Sequence, residues 1–334
     1  LNLTGSAVVF ITAAAEDVFQ GELIAENPSS PTAPSATGTN AVAIGSGAVS
    51  SGSGSVALGL SHASGLSSFA AANNYNNTSY GAIGAYSVAL GNFAKASTSN
   101  SVAIGKGAQS TGNAAVTISA ASSGLNGASG NVATAIGGNS SGVGSNATGT
   151  AAMALGGSYA SGTDSFAAAI ANNTSSYGAT GANSVAIGEL AKASGQKSFS
   201  VGYATQATGT YSYSLGRQAQ ATQEGAVAIG SFAKSAVIGK VAIGGFSPNN
   251  IGDSQSGIVN LYSDTGGNTP EALTTNNSTA GTTNQIILPN NSAYSFSGTI
   301  IARESAAAGS DYASWEIKGA LLRDANAAST VLGN

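Results

Sequence analysis

One short apolar motif returns along this chain at a fixed interval, and that interval restricts the possible folds more than any other feature. AVAIG at 41–45 returns as SVALG at 55–59, and SVALG at 87–91 is followed by SVAIG at 101–105 and AVTIS at 115–119. SVAIG at 184–188 is followed by SFSVG at 198–202, SYSLG at 212–216, AVAIG at 226–230 and KVAIG at 240–244. The central apolar position falls at 185, 199, 213, 227 and 241, a step of 14 residues. Such a step is too short for a pair of helices, but it fits two short strands and two turns per coil. A longer period is superposed. Residues 67–97 match residues 164–194, with Ser68 and Ser165, Tyr80 and Tyr177, and Lys95 and Lys192 each 97 apart. The duplicated block is expected to hold about seven coils.

The residues of each coil assign its faces. Side chains alternate along a strand. In A-x-A, as at Ala94, Lys95 and Ala96, the alanines face inward and the middle residue faces water. In S-V-A-I-G, Val and Ile share one face, Ser, Ala and Gly the other, and neither carries charge. Such a strand reads as buried on both sides. The small face meets the alanine strand of its own coil. The column of Val88, Leu90, Val102, Ile104, Val185, Ile187, Val227 and Ile229 has nothing in its own chain to cover it. An exposed apolar stripe of that length calls for partner chains, and the pattern leaves two, three or more copies open.

Composition removes other classes of function. The chain has 334 residues, of which 7% are charged, with net charge −4, no Cys and one His. Cysteine–histidine zinc sites and disulfide frameworks are therefore ruled out. Ten Lys and Arg are too few for the dense cationic surface that nucleic acid requires. No run of 18 apolar residues exists to cross a membrane as a helix. No basic residue precedes Lys95, so a secretory signal peptide is not expected at the start of the chain. Leu1 is not Met, and the chain reads as processed or as a fragment.

These residues resemble a known family. NSVAIGELAKASGQKSFSVG at 183–202 is similar to the head repeat of YadA-like trimeric autotransporter adhesins. The resemblance covers roughly residues 40–245. It implies a left-handed parallel β-roll, three of which pack along one axis as a homotrimer with the eight Val, Ile and Leu residues above in its core. Adhesin heads normally continue into a heptad stalk and a membrane anchor, and no heptads follow residue 245 here. Instead PNNSAYSFSGTIIAR at 289–303 and WEIKGALLR at 315–323 resemble a β domain found near the ends of bacteriophage tail-fibre and virion proteins. Tyr294, Phe296, Gly298 and Ile300 alternate with Ser295, Ser297 and Thr299, as in a half-buried antiparallel strand. That domain reads as incomplete at Asn334.

The expected organisation is an all-β chain: a short packing or attachment segment at 1–27 with strands at Val8–Thr12 and Val18–Ile24, and a Pro/Ser/Thr linker at 28–39. A roll of about 14 coils and about 70 Å follows at 40–245, then a connecting segment at 246–284 and an antiparallel domain at 285–334. The function this implies is a structural fibre of a tailed phage virion, with other virion proteins and a host-surface glycan or protein as further partners. The alternative is the passenger head of a bacterial surface adhesin, located on the cell surface.

No enzyme, metal or cofactor is expected. Asp253 and Asp264 read as solvated loop acids rather than a hydrolytic pair. His62, in SHASG, reads as a surface residue on a turn. IGK at 104–106 and 238–240 lacks the glycine and hydroxyl of a phosphate loop. The candidate binding feature is an insertion. Phe69 to Val88 and Phe166 to Val185 each span 19 residues, so the coil gains five residues twice. The added residues include Asn73, Asn74, Tyr75, Asn76, Asn77 and Tyr80, then Asn172, Asn173 and Tyr177. Asn, Ser and Tyr are the residues of adaptable recognition loops. The competing expectation is that these are longer turns, with Tyr80 and Tyr177 packed back on the roll.

Overall fold

The structure is a computed structural model that describes residues 32–72, 79–118, 127–138, 144–168, 176–246, 250–265, 269–304 and 311–333. Segment 1–27, with its two expected strands, lies outside the described residues. The chain divides into two units, Leu1–Asn260 and Leu261–Asn334.

The first unit is a β-solenoid. Its V-A-I strands, from Val42–Ile44 to Val241–Gly244, stack in parallel as one long sheet, and the two-residue A-x-A strands stack as a second sheet of 14 strands. The expected register holds in the regular coils: Val185 pairs with Phe199, Phe199 with Tyr213, Tyr213 with Val227 and Val227 with Val241. Fourteen strands make thirteen steps, or about 62 Å at ~4.8 Å per layer.

Three features differ from the sequence expectation. The solenoid begins inside the stretch read as a linker, because Ser35–Ala36 pairs with Val49–Ser50. Pro34 is buried where other coils carry Ala, and that substitution hid the coil in the sequence. Two further coils, Thr134–Ile136 and Met153–Leu155, lack the S-V-A-I-G signature yet stack in register between Val116–Ile118 and Phe166–Ala168. The step from Val116 to Thr134 is 18 residues and that from Thr134 to Met153 is 19. The two copies of the duplicated block are consequently six coils apart rather than seven. Two of the coils between them are themselves extended.

The interior is almost entirely Ala and Ser. Ala89, Ala96, Ala103, Ala186, Ala193 and Ala228 are fully buried, and the largest fully enclosed side chains are Thr and Ser. A ring of 14 residues leaves an interior about two Cβ atoms deep, which nothing larger can enter. In several coils the Ser that opens S-V-A-I-G bonds within its own turn, while the equivalent Ser184 and Ser198 hydroxyls have no partner among the described residues. Ser87 Oγ donates to the Gly84 carbonyl at 2.6 Å, Ser165 to Gly162 at 2.7 Å and Ser212 to Gly209 at 2.6 Å. These hydroxyls bond to turn carbonyls that lie outside the ladders, and Gly84 and Gly209 also accept long bonds from the backbone N–H of the same Ser.

Close stacking also explains the turn glycines. A Cβ on Gly195 would lie 1.9 Å from the Gly209 carbonyl oxygen of the next coil. The corner that follows is left-handed even where the residue is bulky, as at Tyr86, Val132 and Tyr211, with φ of 58°, 57° and 56°. Each of those N–H groups donates to a carbonyl of the preceding coil: Tyr86 to Leu66 and Val132 to Asn113, both at 2.7 Å, and Tyr211 to Gln196 at 2.9 Å. That inter-coil bond offsets a local cost of about 1–2 kcal/mol.

The C-terminal end of the solenoid is closed. Strand Gln255–Ile258 pairs antiparallel with Val241–Gly244 and ends the parallel run of the long sheet. The short sheet ends at Lys234–Ser235, and there the Gln255 side chain replaces a strand. Its Oε1 accepts from the Lys234 N–H at 2.7 Å and its Nε2 donates to the Lys234 carbonyl at 3.1 Å. A single amide thus blocks an edge that would otherwise pair with another chain. Burial under the same strand pushes the Lys240 ammonium below its usual range.

The second unit carries a three-stranded antiparallel sheet. Ser292–Arg303 pairs along its whole length with Tyr312–Arg323, which pairs in turn with Thr330–Gly333. The preceding loops are organised by Asn284, whose Nδ2 donates to Asn276, Ser278 and Thr279, all at 3.0 Å.

Ala186→Leu is expected to lower the thermal midpoint sharply or abolish folding, since overpacking costs about 1–3 kcal/mol even where a core can yield. An unchanged midpoint by circular dichroism would contradict the close-packed alanine interior. Gln255→Ala is expected to leave the circular dichroism spectrum intact and to produce end-to-end association in light scattering at high concentration. Scattering equal to that of the native chain would show that Gln255 does not guard the edge.

Candidate interaction surface

The long sheet places its Val and Ile side chains outward in two adjacent columns, while the Ala between them points in. The first column runs Val88, Val102 and Val116 and later Val185, Phe199, Tyr213, Val227 and Val241. The second runs Leu90, Ile104 and Ile118 and later Ile187, Val201, Leu215, Ile229 and Ile243. All eight residues expected at a partner contact lie in these columns. Val88, Leu90, Val102, Ile104, Val185, Ile187 and Val227 are half-buried, and Ile229 is 40% exposed. Neither column contains a charge, and each is fourteen residues long. The stripe is about 60 Å by 8 Å, roughly 500 Å², near the upper end of what a monomer leaves bare.

The columns change character near their C-terminal end. Phe199 and Tyr213 lie 6.2 Å apart between ring centroids, and Lys197 Nζ sits 5.0 Å from the Tyr211 ring centre. Arg217 stacks on Phe232 at 5.2 Å, and Phe232 meets Phe246 edge-on at 5.8 Å. In the first copy of the repeat the positions of Phe199, Tyr203, Tyr211 and Tyr213 are Val102, Lys106, Ala114 and Val116.

The short sheet presents a polar column instead. Lys95 pairs with Gln109, Lys192 with Gln206, Gln206 with Gln220, and Gln220 with Lys234. His62 belongs to this sheet, paired with Val49, and is buried rather than on a surface turn. Its Nδ1 has no hydrogen-bond partner among the described residues. The strand that follows offers Gly81 beside it, so no neighbouring side chain displaces the imidazole.

Of the candidate loop residues, Asn73, Asn74, Tyr75, Asn76, Asn77, Asn172 and Asn173 lie outside the described residues. Tyr80 and Tyr177 are described, and both are half-buried against the solenoid. The Tyr80 ring meets Phe93 edge-on at 5.3 Å, and Tyr177 packs on the central alanine cluster. Their rings anchor the return of the insertion to the short sheet. In the four extended coils the extra residues fall, in sequence, between a long-sheet strand and the next short-sheet strand. Two of these, between Ile118 and Gly127 and between Ile136 and Asn146, flank the coil at Thr134–Ile136, which lacks the S-V-A-I-G signature. Three of the four returns land on Gly: Gly81, Gly127 and Gly178. A Cβ on Gly178 would lie 2.1 Å from the Tyr159 carbonyl oxygen.

Asp253, in the first unit, accepts from Asn250 Nδ2 at 3.0 Å. Asp264, in the second, donates its backbone N–H to Asn277 Oδ1 at 3.0 Å. Among the described residues no three His, Cys, Asp or Glu side chains cluster to hold a metal ion.

A parallel β-solenoid with an alanine core and an uncovered aliphatic stripe defines a class of stacked-coil structural protein. Within that class, the family model of the YadA head domain repeat (2 copies) matches residues 36–61, 82–108, 179–205 and 207–233. The chain carries YadA head repeats, and the matched segments fall on regular coils on either side of the extended ones. No curated protein matches the chain.

Tyr177→Ala is expected to destabilise the solenoid by about 1–3 kcal/mol through lost ring burial. A denaturant midpoint unchanged from that of the native chain would show that the ring does not anchor the return.

Proposed function

We propose that the chain forms the rod of a homotrimeric extracellular fibre and performs structural and attachment work rather than catalysis. The observation that carries this reading is the charge-free double column on the long sheet. The described residues of one chain leave it open, and three copies facing a common axis would bury it. YadA head repeats support the same stoichiometry. Ile187→Asp combined with Ile229→Asp is expected to prevent assembly, since each would bury an unpaired carboxylate at several kcal/mol. Sedimentation of the native chain as a folded, soluble monomer would refute the trimer.

The rod is best placed on a tailed-phage virion, a reading supported by the resemblance of 289–303 and 315–323 to the terminal β domains of tail-fibre proteins. The head repeats themselves favour a second location, the surface of a bacterial cell. An antiserum against the solenoid separates them: it labels fibres on purified particles in the first case and the cell envelope in the second.

Recognition is assigned to the insertions. With Tyr80 and Tyr177 committed to packing, contact falls to Asn73, Asn74, Tyr75, Asn76 and Asn77 and to Asn172 and Asn173. A trimer repeats each loop three times, and weak contacts to a neutral glycan then add through multivalency. Shortening both insertions to plain 14-residue coils is expected to leave the trimer intact and to reduce adsorption at least tenfold. Undiminished adsorption by an assembled trimer would make the loops structural and the rod a spacer.

A further inference from the structure

The terminal sheet has two unlike faces, and the described residues cover neither. Cross-strand register assigns them, because residues directly opposite one another share a face. Tyr294 faces Leu321, Gly298 faces Ile317, Ile300 faces Trp315 and Leu321 faces Leu332. With Phe296, opposite Gly319, these residues form one continuous apolar surface without a charge. The other face carries Ser295, Ser297, Thr299 and Arg303 against Ala320, Lys318, Glu316 and Tyr312. Its centre is built for water, although Ile301, Leu322 and Val331 are exposed on the same face. The apolar face is not, yet Trp315 is 51% exposed, Ile317 39% and Leu332 63%. No residue of the three strands is buried. A sheet of three strands needs its apolar face covered to be stable.

We infer that this face is a self-association surface, on which the sheet of one chain packs against the same face of another copy. Three observations favour a second copy as occupant. The face carries one charge, Arg323 at its end, whose guanidinium already bonds to Thr330 Oγ1 and the Leu288 carbonyl, so the apolar centre asks for no complementary charge and fits itself. Two strands of 12 residues and one of four present roughly 500 Å². Two such faces bury about 1,000 Å², the lower limit for a specific interface. Gly319 also lets the Phe296 ring lie down on it, since a Cβ there would come within 2.7 Å of that ring, and this leaves the centre of the face flat for an opposing sheet. The solenoid stripe calls for further copies independently, and the inference does not depend on it. The terminal sheet would then be a second point of registration for the assembled chains.

The chain offers two clean reporters: Trp315 is its only Trp, and it has no Cys. In the full-length protein Ile317→Cys is expected to give disulfide-linked chains as the main species under mild oxidation. Ile301→Cys, on the polar face, is expected to give at least tenfold less. Trp315 emission is expected at the wavelength of a buried indole, with acrylamide quenching several-fold weaker than in the unfolded chain. Introducing Ile317→Cys beside Ile187→Asp and Ile229→Asp separates the two interfaces. Cross-linking that persists after the solenoid contact is lost shows that the sheet associates by itself. Cross-linking lost only in that background shows that the solenoid alone brings the chains together, and overturns the inference. A buried Trp315 without cross-linking from Ile317→Cys assigns the cover to another segment or another protein, and also overturns it. So does a Trp315 as exposed in the native assembly as in the unfolded chain.

Discussion

Everything in the solenoid depends on the ~4.8 Å spacing of stacked coils, set by the hydrogen bonds between parallel strands. That distance is repeated thirteen times with the same two corners, so each position in a coil lies directly on its equivalents above and below. A residue is therefore selected against its own copies. Columns of Ala, of Gly and of Ser arise because each stacks on itself without conflict. At Gly195 over Gly209, as at other turn glycines, even a methyl group would meet a carbonyl. The low charge of the chain has the same origin, because columns of like charges would repel one another at one-strand spacing.

The alanine interior has a thermodynamic consequence. Burying Ala removes little apolar surface, so the core contributes less per residue than one of Leu or Ile. Hydrogen bonds in two continuous ladders, the Ser-to-carbonyl bonds of the turns and the inter-coil corner bonds supply cohesion instead. The larger apolar side chains are displaced to the outside of the long sheet. A fold that cannot hold its aliphatic residues internally can bury them only between chains. The small ring and the uncovered stripe are thus one property, which is why the assembly reading follows from the core as much as from the surface.

The ends of the stack need separate devices, as in any solenoid whose repeats contact only their neighbours. At the C-terminal end an antiparallel strand closes one sheet and the Gln255 amide closes the other. The terminal sheet solves a different problem in a different way. Its two 12-residue strands pair along their whole length, but the described residues place no layer on its apolar side.

The sequence by itself determined the period, the two strand types and the inward or outward direction of each residue, since a 14-residue repeat and side-chain alternation leave no other arrangement. It also placed the eight aliphatic residues from Val88 to Ile229 on one face and the alternating pattern on Ser292–Arg303. It did not reveal the coils at Ser35, Thr134 and Met153. Pro34 and the irregular spacing around 119–145 break the motif there, while backbone pairing, which does not read side chains, continues through them. Nor did local sequence show that His62 is buried beside Gly81, that Tyr80 rests on Phe93, or that Gln255 completes an edge 21 residues away. Those contacts join residues distant in the chain, and only stacking the coils in register brings them together.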